Sequence, residues 1–280
     1  MLHYPTGNYT VTVTAAKSPN CAITAYSISN QTSCSIDAKH KTIAVTVPFP
    51  TPLTALIATF TKSDGSTAEV GDNPQISGTT PNDFTSPVTY TVTAEDDITS
   101  SDYTVIVTKN APQVGQDYGG GTIVSVDATN RKILICSKND IAQTVWSEIY
   151  TPIFANAGCL SRLSSLCQSG TYYFDEIGSG KPNTELILKT LGIDRNSAAK
   201  HCTQYREGGY TDWYLPSMWE LYEVYKIFQS PVAGYHWSST VDMAHVNRQA
   251  ITLNFDGANW SSDDFRRDTI NIRAVRNENY

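Results

Sequence analysis

The side chains able to do chemistry do not assemble into a recognisable catalytic set. Five histidines, His3, His40, His201, His236 and His245, occur without a G-x-S-x-G elbow, an H-E-x-x-H pair or a cysteine beside a recognisable base. His201 precedes Cys202, but neighbours on a helix do not face each other, so no Cys/His dyad is expected there. Adjacent carboxylates such as Asp175 and Glu176 carry no glycosidase spacing that a sequence can define. Asp256, Asp263 and Asp264 would offer oxygen ligands to calcium, yet EF-hand spacing is absent and a solvated loop explains them. The chain is therefore read as a non-enzyme, with no metal and no cofactor expected.

Six cysteines, Cys21, Cys34, Cys136, Cys159, Cys167 and Cys202, form an even set with no C-x-x-C pair. Disulfides in an oxidising compartment are expected for all six. Two precede Pro112, so Cys21 with Cys34 is the only bridge within the first half. The other four allow three connectivities.

The elements that must position these residues change character at Pro112. Before it, TIAVTVP (42–48), TALIATFT (54–61), PVTYTVTAE (87–95) and DYTVIVTK (102–109) alternate apolar residues with Thr or Tyr, the period of half-buried strands. Turn formers such as Ser63-Asp64-Gly65 and Gly71-Asp72-Asn73-Pro74 separate them, which predicts an all-β sandwich. The opening NYTVTVT (8–14) echoes DYTVIVT (102–108), as the last strand of a preceding repeat would. The domains expected are the end of a repeat or a linking strand (1–20), a sandwich (21–110) and a second domain (111–280).

After the Gly-rich turn at Gly119-Gly120-Gly121, strands are predicted at 122–127 and 132–137. Helix-like stretches follow near 141–157, 183–204 and 217–229, and strands return at 235–240, 249–255 and 269–276. The last helix has the clearest start, with Ser217 as N-cap, Glu220 three positions on, and Leu221, Val224, Tyr225 and Phe228 on one face. Trp213 and Tyr214 are expected in the core.

Two resemblances attach to these residues. The segment LTALIATFTKSDGSTAEVG and the strands up to residue 109 resemble bacterial immunoglobulin-like repeats, which implies a structural spacer over about residues 22–109. The ordered series Tyr118-Gly119-Gly120-Gly121, Asp212 to Ser217 (DWYLPS), Trp237-Ser238-Ser239-Thr240, Phe255-Asp256-Gly257 and Arg273-Ala274-Val275-Arg276 resembles the C-terminal domain of the collagen-like Lcl adhesins. That resemblance spans about residues 113–276. It implies an α+β C-type-lectin-like fold of the formylglycine-generating-enzyme subgroup. The reactive cysteine pair of those enzymes has no counterpart after Cys202, and the calcium-lectin triplets Glu-Pro-Asn and Trp-Asn-Asp are absent.

The last segment also resembles the variable region of diversity-generating-retroelement proteins, whose ligand-facing positions differ between copies. On that reading Tyr235, His236, Asp242, His245, Asn247, Arg248, Asn259, Trp260, Asp263, Phe265, Arg266 and Arg267 form the ligand-binding surface. Trp260 and Phe265 would be its aromatic anchors, since aromatics give contact area at low entropy cost.

Composition limits the partners. Of 280 residues, 40% are hydrophobic and 17% charged, with a net charge of −7. Splitting at Pro112 leaves 5 Lys/Arg against 9 Asp/Glu before it and 15 against 18 after it. Neither half is a basic surface for nucleic acid, and the adhesins' glycosaminoglycan binding has little cationic support here. No apolar run is long enough for a membrane helix, and Met1 is followed by polar residues rather than a signal-peptide core. The expected partner is a protein or glycan ligand on another cell or host surface, with no nucleic acid, no direct membrane span and room for an oligomer. The expected location is extracellular or the bacterial outer-membrane surface.

Overall fold

The computed structural model describes residues 12, 15–148, 172–173, 176–192, 194–230, 234–242, 250–261 and 267–280. It divides into two units, Met1–Ala111 and Pro112–Tyr280.

Unit 1 contains strands and turns. They are β1 (Ile23–Ile28), β2 (Ser33–Asp37), β3 (Thr42–Val47), β4 (Leu56–Lys62), β5 (Thr67–Val70), β6 (Asn73–Pro74), β7 (Pro81–Asn82), β8 (Val88–Thr93) and β9 (Ser100–Lys109). One sheet has the order β1-β4-β7 and the other β2-β3-β9-β8-β5-β6. Period-2 alternation sends Ile43, Val45 and Val47 of β3 and Val88, Tyr90 and Val92 of β8 inward. There they meet Ile23, Tyr26 and Ile28 of β1 and Ala58 and Phe60 of β4 in one core. β3 and β9 run parallel, Thr42 opposite Thr104, while the other pairs are antiparallel. Within the core, the Tyr90 hydroxyl takes a hydrogen bond from Asn82 Nδ2 at 3.0 Å and lies 3.3 Å from the Tyr26 hydroxyl, so these buried polar atoms are paired.

Unit 2 adds β10 (Asp117–Tyr118), β11 (Gly121–Asp127), β12 (Lys132–Cys136), β13 (Ala142–Thr144) and β14 (Tyr172–Tyr173). Three helices follow, α1 (Gly180–Leu191), α2 (Ala198–Gln204) and α3 (Met218–Phe228). The unit closes with β15 (Tyr235–Asp242), β16 (Ala250–Asn254), β17 (Asn259–Ser261), β18 (Ile270–Ile272) and β19 (Val275–Asn279). β10-β11-β12-β19 form one sheet. β13-β18-β15-β16-β17 form a second, on which β14 also pairs with β15.

This architecture corrects the expected fold class, an immunoglobulin-like sandwich followed by an α+β C-type-lectin-like domain. Strand makes up 41% of the described residues and helix 15%, distributed over several sheets, so the chain is mostly β throughout. Part of the error lies at 141–157. Apolar spacing there suggested a helix, but Ala142–Thr144 pairs antiparallel with Ile270–Ile272, so a partner distant in sequence overrides the local pattern. The 183–204 stretch is two helices: Gly192 at φ 88° ends α1, and Ser197 caps α2 by accepting from the Lys200 amide.

Two tryptophans lock the second sheet. Trp237 Nε1 donates to the Thr144 carbonyl at 2.9 Å, and Trp146 Nε1 to the Ser238 carbonyl at 2.7 Å. The Gly-rich turn is steric in origin. Gly120 has φ 80°, and a Cβ there would lie 2.4 Å from the Glu207 carbonyl oxygen; one on Gly121 would lie 2.1 Å from that of Cys136.

Candidate functional site

The site is built on α3. Ser217 accepts a hydrogen bond from the Glu220 amide while the Glu220 carboxylate takes the Ser217 amide at 2.9 Å, a complete capping box. Leu221 and Val224 then face inward with Val124, Leu134, Leu253, Phe255 and Val275, drawn from both sheets. Burying each of those two side chains contributes roughly 1.5–3 kcal/mol, which fixes the helix's rotation. The opposite face is thereby turned to solvent and carries Trp219 among charged residues, with Tyr222 and Tyr225 on the flank that packs against the core. Trp219 is 43% exposed, and Tyr222 and Tyr225 are half-buried beside it.

The edge strand of the second sheet adds another ring. Trp260 pairs across β17 with Leu253 of β16, and strand alternation therefore puts it on the α3 side, with Asn259 and Ser261 on the other. Trp219 meets Tyr222 edge to face at 5.8 Å and Trp260 at 6.4 Å with planes 70° apart. Tyr222 lies 6.3 Å from Trp260 and 5.8 Å from Tyr225, and Tyr225 packs edge-on against Phe255 at 5.7 Å. The result is one continuous aromatic surface with Trp219 outermost, held from below by rings rooted in the core. An exposed aromatic cluster supported this way is a candidate ligand surface. One turn along the helix, Lys226 and Glu223 pair at 2.5 Å, so the helix beside the rings carries a matched charge pair.

Beneath lies Glu220, fully buried. Besides the cap it takes the Gly178 amide at 2.9 Å and the Tyr214 hydroxyl at 3.0 Å. Burial raises its carboxyl above the ordinary value, opposed by these hydrogen bonds.

The residues expected to bind ligand separate. Trp260 belongs to the aromatic surface, and Tyr235 is 40% exposed on β15. Asn259 is exposed on the other side of β17. His236 cannot face a ligand: it is fully buried, stacked 3.9 Å from Phe255, with Nε2 2.9 Å from Asp140 Oδ1. Asp140 also receives Arg273 Nε at 2.8 Å. Its burial would raise its carboxyl, but His236 and Arg273 outweigh this and hold it below the ordinary value. Arg267 donates to the Glu148 carbonyl at 3.0 Å. Asp242 ends β15 opposite Tyr172. His245, Asn247, Arg248, Asp263, Phe265 and Arg266 lie outside the described residues. Sequence reading missed Trp219 and Tyr222. Their spacing of three, with Trp219 on the face opposite Leu221 and Val224, was the available signal.

Cys21, Cys34, Cys136 and Cys202 are unbridged in this structure. The Cys21–Cys34 bridge fails on distance. Cys21 Sγ lies 3.2 Å from the Ser101 hydroxyl at the start of β9, whereas Cys34 sits across β3 from Val107. Six residues of strand, roughly 20 Å, separate those points, far beyond disulfide reach. Cys159 and Cys167 lie outside the described residues. Among the described residues no cluster of metal-ligating side chains occurs, and no helix is long and apolar enough to cross a membrane.

Comparison with known proteins finds a similarity within the first unit. Residues 23–107 match the family model described as SGBP, N-terminal, the N-terminal domain of surface glycan-binding proteins. Among solved structures, it is similar to a candidate glycoside hydrolase from Bacteroides thetaiotaomicron VPI-5482, at 24% identity and a TM-score of 0.29, over 46% of this chain and 35% of that one. A candidate secreted protein from Bacteroides fragilis NCTC 9343 is similar at 21% identity and a TM-score of 0.27, over 33% of this chain and 97% of that one. A DUF4623 family protein from Bacteroides eggerthii DSM 20697 is similar at 18% identity and a TM-score of 0.27, over 42% of this chain and 32% of that one. The chain thus spans about a third of the length of the first and the third. No curated protein matches it.

Proposed function

We propose that this is a surface-displayed glycan-binding protein in which unit 1 is the presenting domain and the aromatic surface of α3 and β17 takes the sugar. The observation that carries this reading is Trp219, a large indole left 43% exposed on a helix face and braced by Tyr222 and Trp260. A pyranose ring has a face of C–H bonds that packs onto an aromatic plane, leaving its hydroxyls to water and to polar side chains. Rigid aromatics provide that contact with little loss of rotamer entropy. The family match over residues 23–107 supports surface display and a glycan as the ligand class. Binding without turnover fits the site, because the two carboxylates of α3 have structural work: Glu223 pairs with Lys226, and Glu220 is consumed by the cap.

The test is native affinity electrophoresis of the full chain in gels containing starch, xyloglucan, galactomannan or heparin. At least one neutral polysaccharide is expected to retard the protein, and Trp219→Ala is expected to weaken retention about tenfold, the size of one lost aromatic contact. Unchanged migration in every gel, or retention indifferent to Trp219→Ala, would overturn the proposal.

A further inference from the structure

The interior of unit 2 holds two thiols that the binding surface does not use, and both converge on one short stretch of chain. Cys136 ends β12 opposite Val275. The next residue ties this strand to the same neighbour twice, Ser137 N donating to the Ala274 carbonyl at 2.8 Å and Ser137 Oγ accepting from the Ala274 amide at 3.2 Å. Cys202, near the end of α2, places its Sγ 3.8 Å from the Arg273 carbonyl. The two cysteines, 66 positions apart in sequence, therefore flank residues 273–275 from opposite elements. Both are fully buried. Their electrostatics agree with the geometry: after burial, the charge of Cys136 is what raises the Cys202 thiol, and Cys136 also acts on Tyr205 three residues further on.

We propose that Cys136 and Cys202 form a disulfide in the exported protein, tying α2 to the β12–β19 pair beneath α3. The bond forms by two exchanges. One cysteine thiolate attacks the disulfide of an oxidised dithiol protein or small-molecule disulfide of the export compartment, giving a mixed disulfide and releasing one thiolate. The second cysteine's thiolate then attacks the mixed disulfide, closing Cys136–Cys202 and releasing the other. Two thiol protons are lost, and the oxidant leaves as a dithiol. The step belongs to folding rather than to the finished protein. Once the core closes, burial pushes the Cys136 thiol up to about 12, and few thiolates remain to react. Cys21 and Cys34 act as internal controls, because their separation along β9 leaves them unable to pair with each other.

Full-length protein produced in an oxidising compartment would be denatured without reductant, alkylated with iodoacetamide, digested and mapped by mass spectrometry. The expected result is a Cys136–Cys202 peptide pair that separates on reduction, with no Cys21–Cys34 pair. In parallel, Cys136→Ser/Cys202→Ser is expected to lower the melting temperature of the unit 2 transition by roughly 5–15 °C, and reducing agent is expected to have little further effect on that variant. Carboxamidomethyl groups on both Cys136 and Cys202, or either one bonded instead to Cys159 or Cys167, would overturn the proposal. Because the map is made on unsubstituted protein, it decides the question even if the double variant does not fold.

Discussion

At the scale of single residues, Glu220 bears most on the site. Its two carboxylate oxygens take hydrogen bonds from the buried Ser217 amide and Tyr214 hydroxyl and from the Gly178 amide at the surface. Replacing it with Ala strands two buried donors, the Ser217 amide and the Tyr214 hydroxyl, and should cost roughly 2–4 kcal/mol. Its pH behaviour follows from the raised pKa, whose first cause is burial. A carboxyl that binds its proton more tightly folded than unfolded stabilises the fold in full below the unfolded value. That contribution is lost as pH rises through the folded value. Urea unfolding of Glu220→Gln between pH 4 and 7 should therefore show a flatter loss of stability with rising pH than the unsubstituted protein. An identical slope in the two proteins would assign the pH dependence to other groups.

At the scale of elements, α3 shows what could be read from residues in order and what could not. The capping box from Ser217 to Glu220 and the inward stripe of Leu221 and Val224 are local patterns, and the helix lies where they put it. Strands β3, β8 and β9 follow period-2 alternation in the same way. The binding surface depends on contacts between distant elements. Trp260 was readable as an aromatic in a polar loop region. That it meets Trp219 and Tyr222 follows only from the β16–β17 register, which sets it on the helix side. His236 shows the converse: its type suggested an exposed ligand contact, while pairing of β15 with β16 and β18 buried it against Phe255. The 141–157 region was misread because the partner of β13 lies about 130 residues later. Since the cap orients Trp219 at the second position of α3, Ser217→Ala should cost about 1 kcal/mol of stability. Polysaccharide retention should change much less than in Trp219→Ala. Equal losses of retention in the two variants would mean that α3 frays when uncapped and that the cap itself is part of the binding apparatus.

At the scale of the whole molecule, the two units have separate interiors, Tyr90 and Tyr103 anchoring one and Tyr214, Leu221 and Leu253 the other. The aromatic surface belongs wholly to unit 2. Scanning calorimetry of the full chain should therefore show two transitions, and a neutral polysaccharide retained in the gel assay should move only the one belonging to unit 2. At a ligand concentration of about 100 times Kd, linkage raises the stability of the binding unit by about 2.7 kcal/mol and leaves a unit that makes no contact with ligand unchanged. For a unit of this size that is a rise of roughly 5–10 °C in Tm. Trp219→Ala should remove most of this rise while leaving the unit 1 transition in place, since Trp219 lies outside that core. If the transition that moves is instead that of unit 1, the sugar is held by residues of the 23–107 domain and the α3 surface is not its site. A single transition that shifts as a whole would mean that the two interiors melt together, and the division of labour between a presenting unit and a reading unit would fail with it.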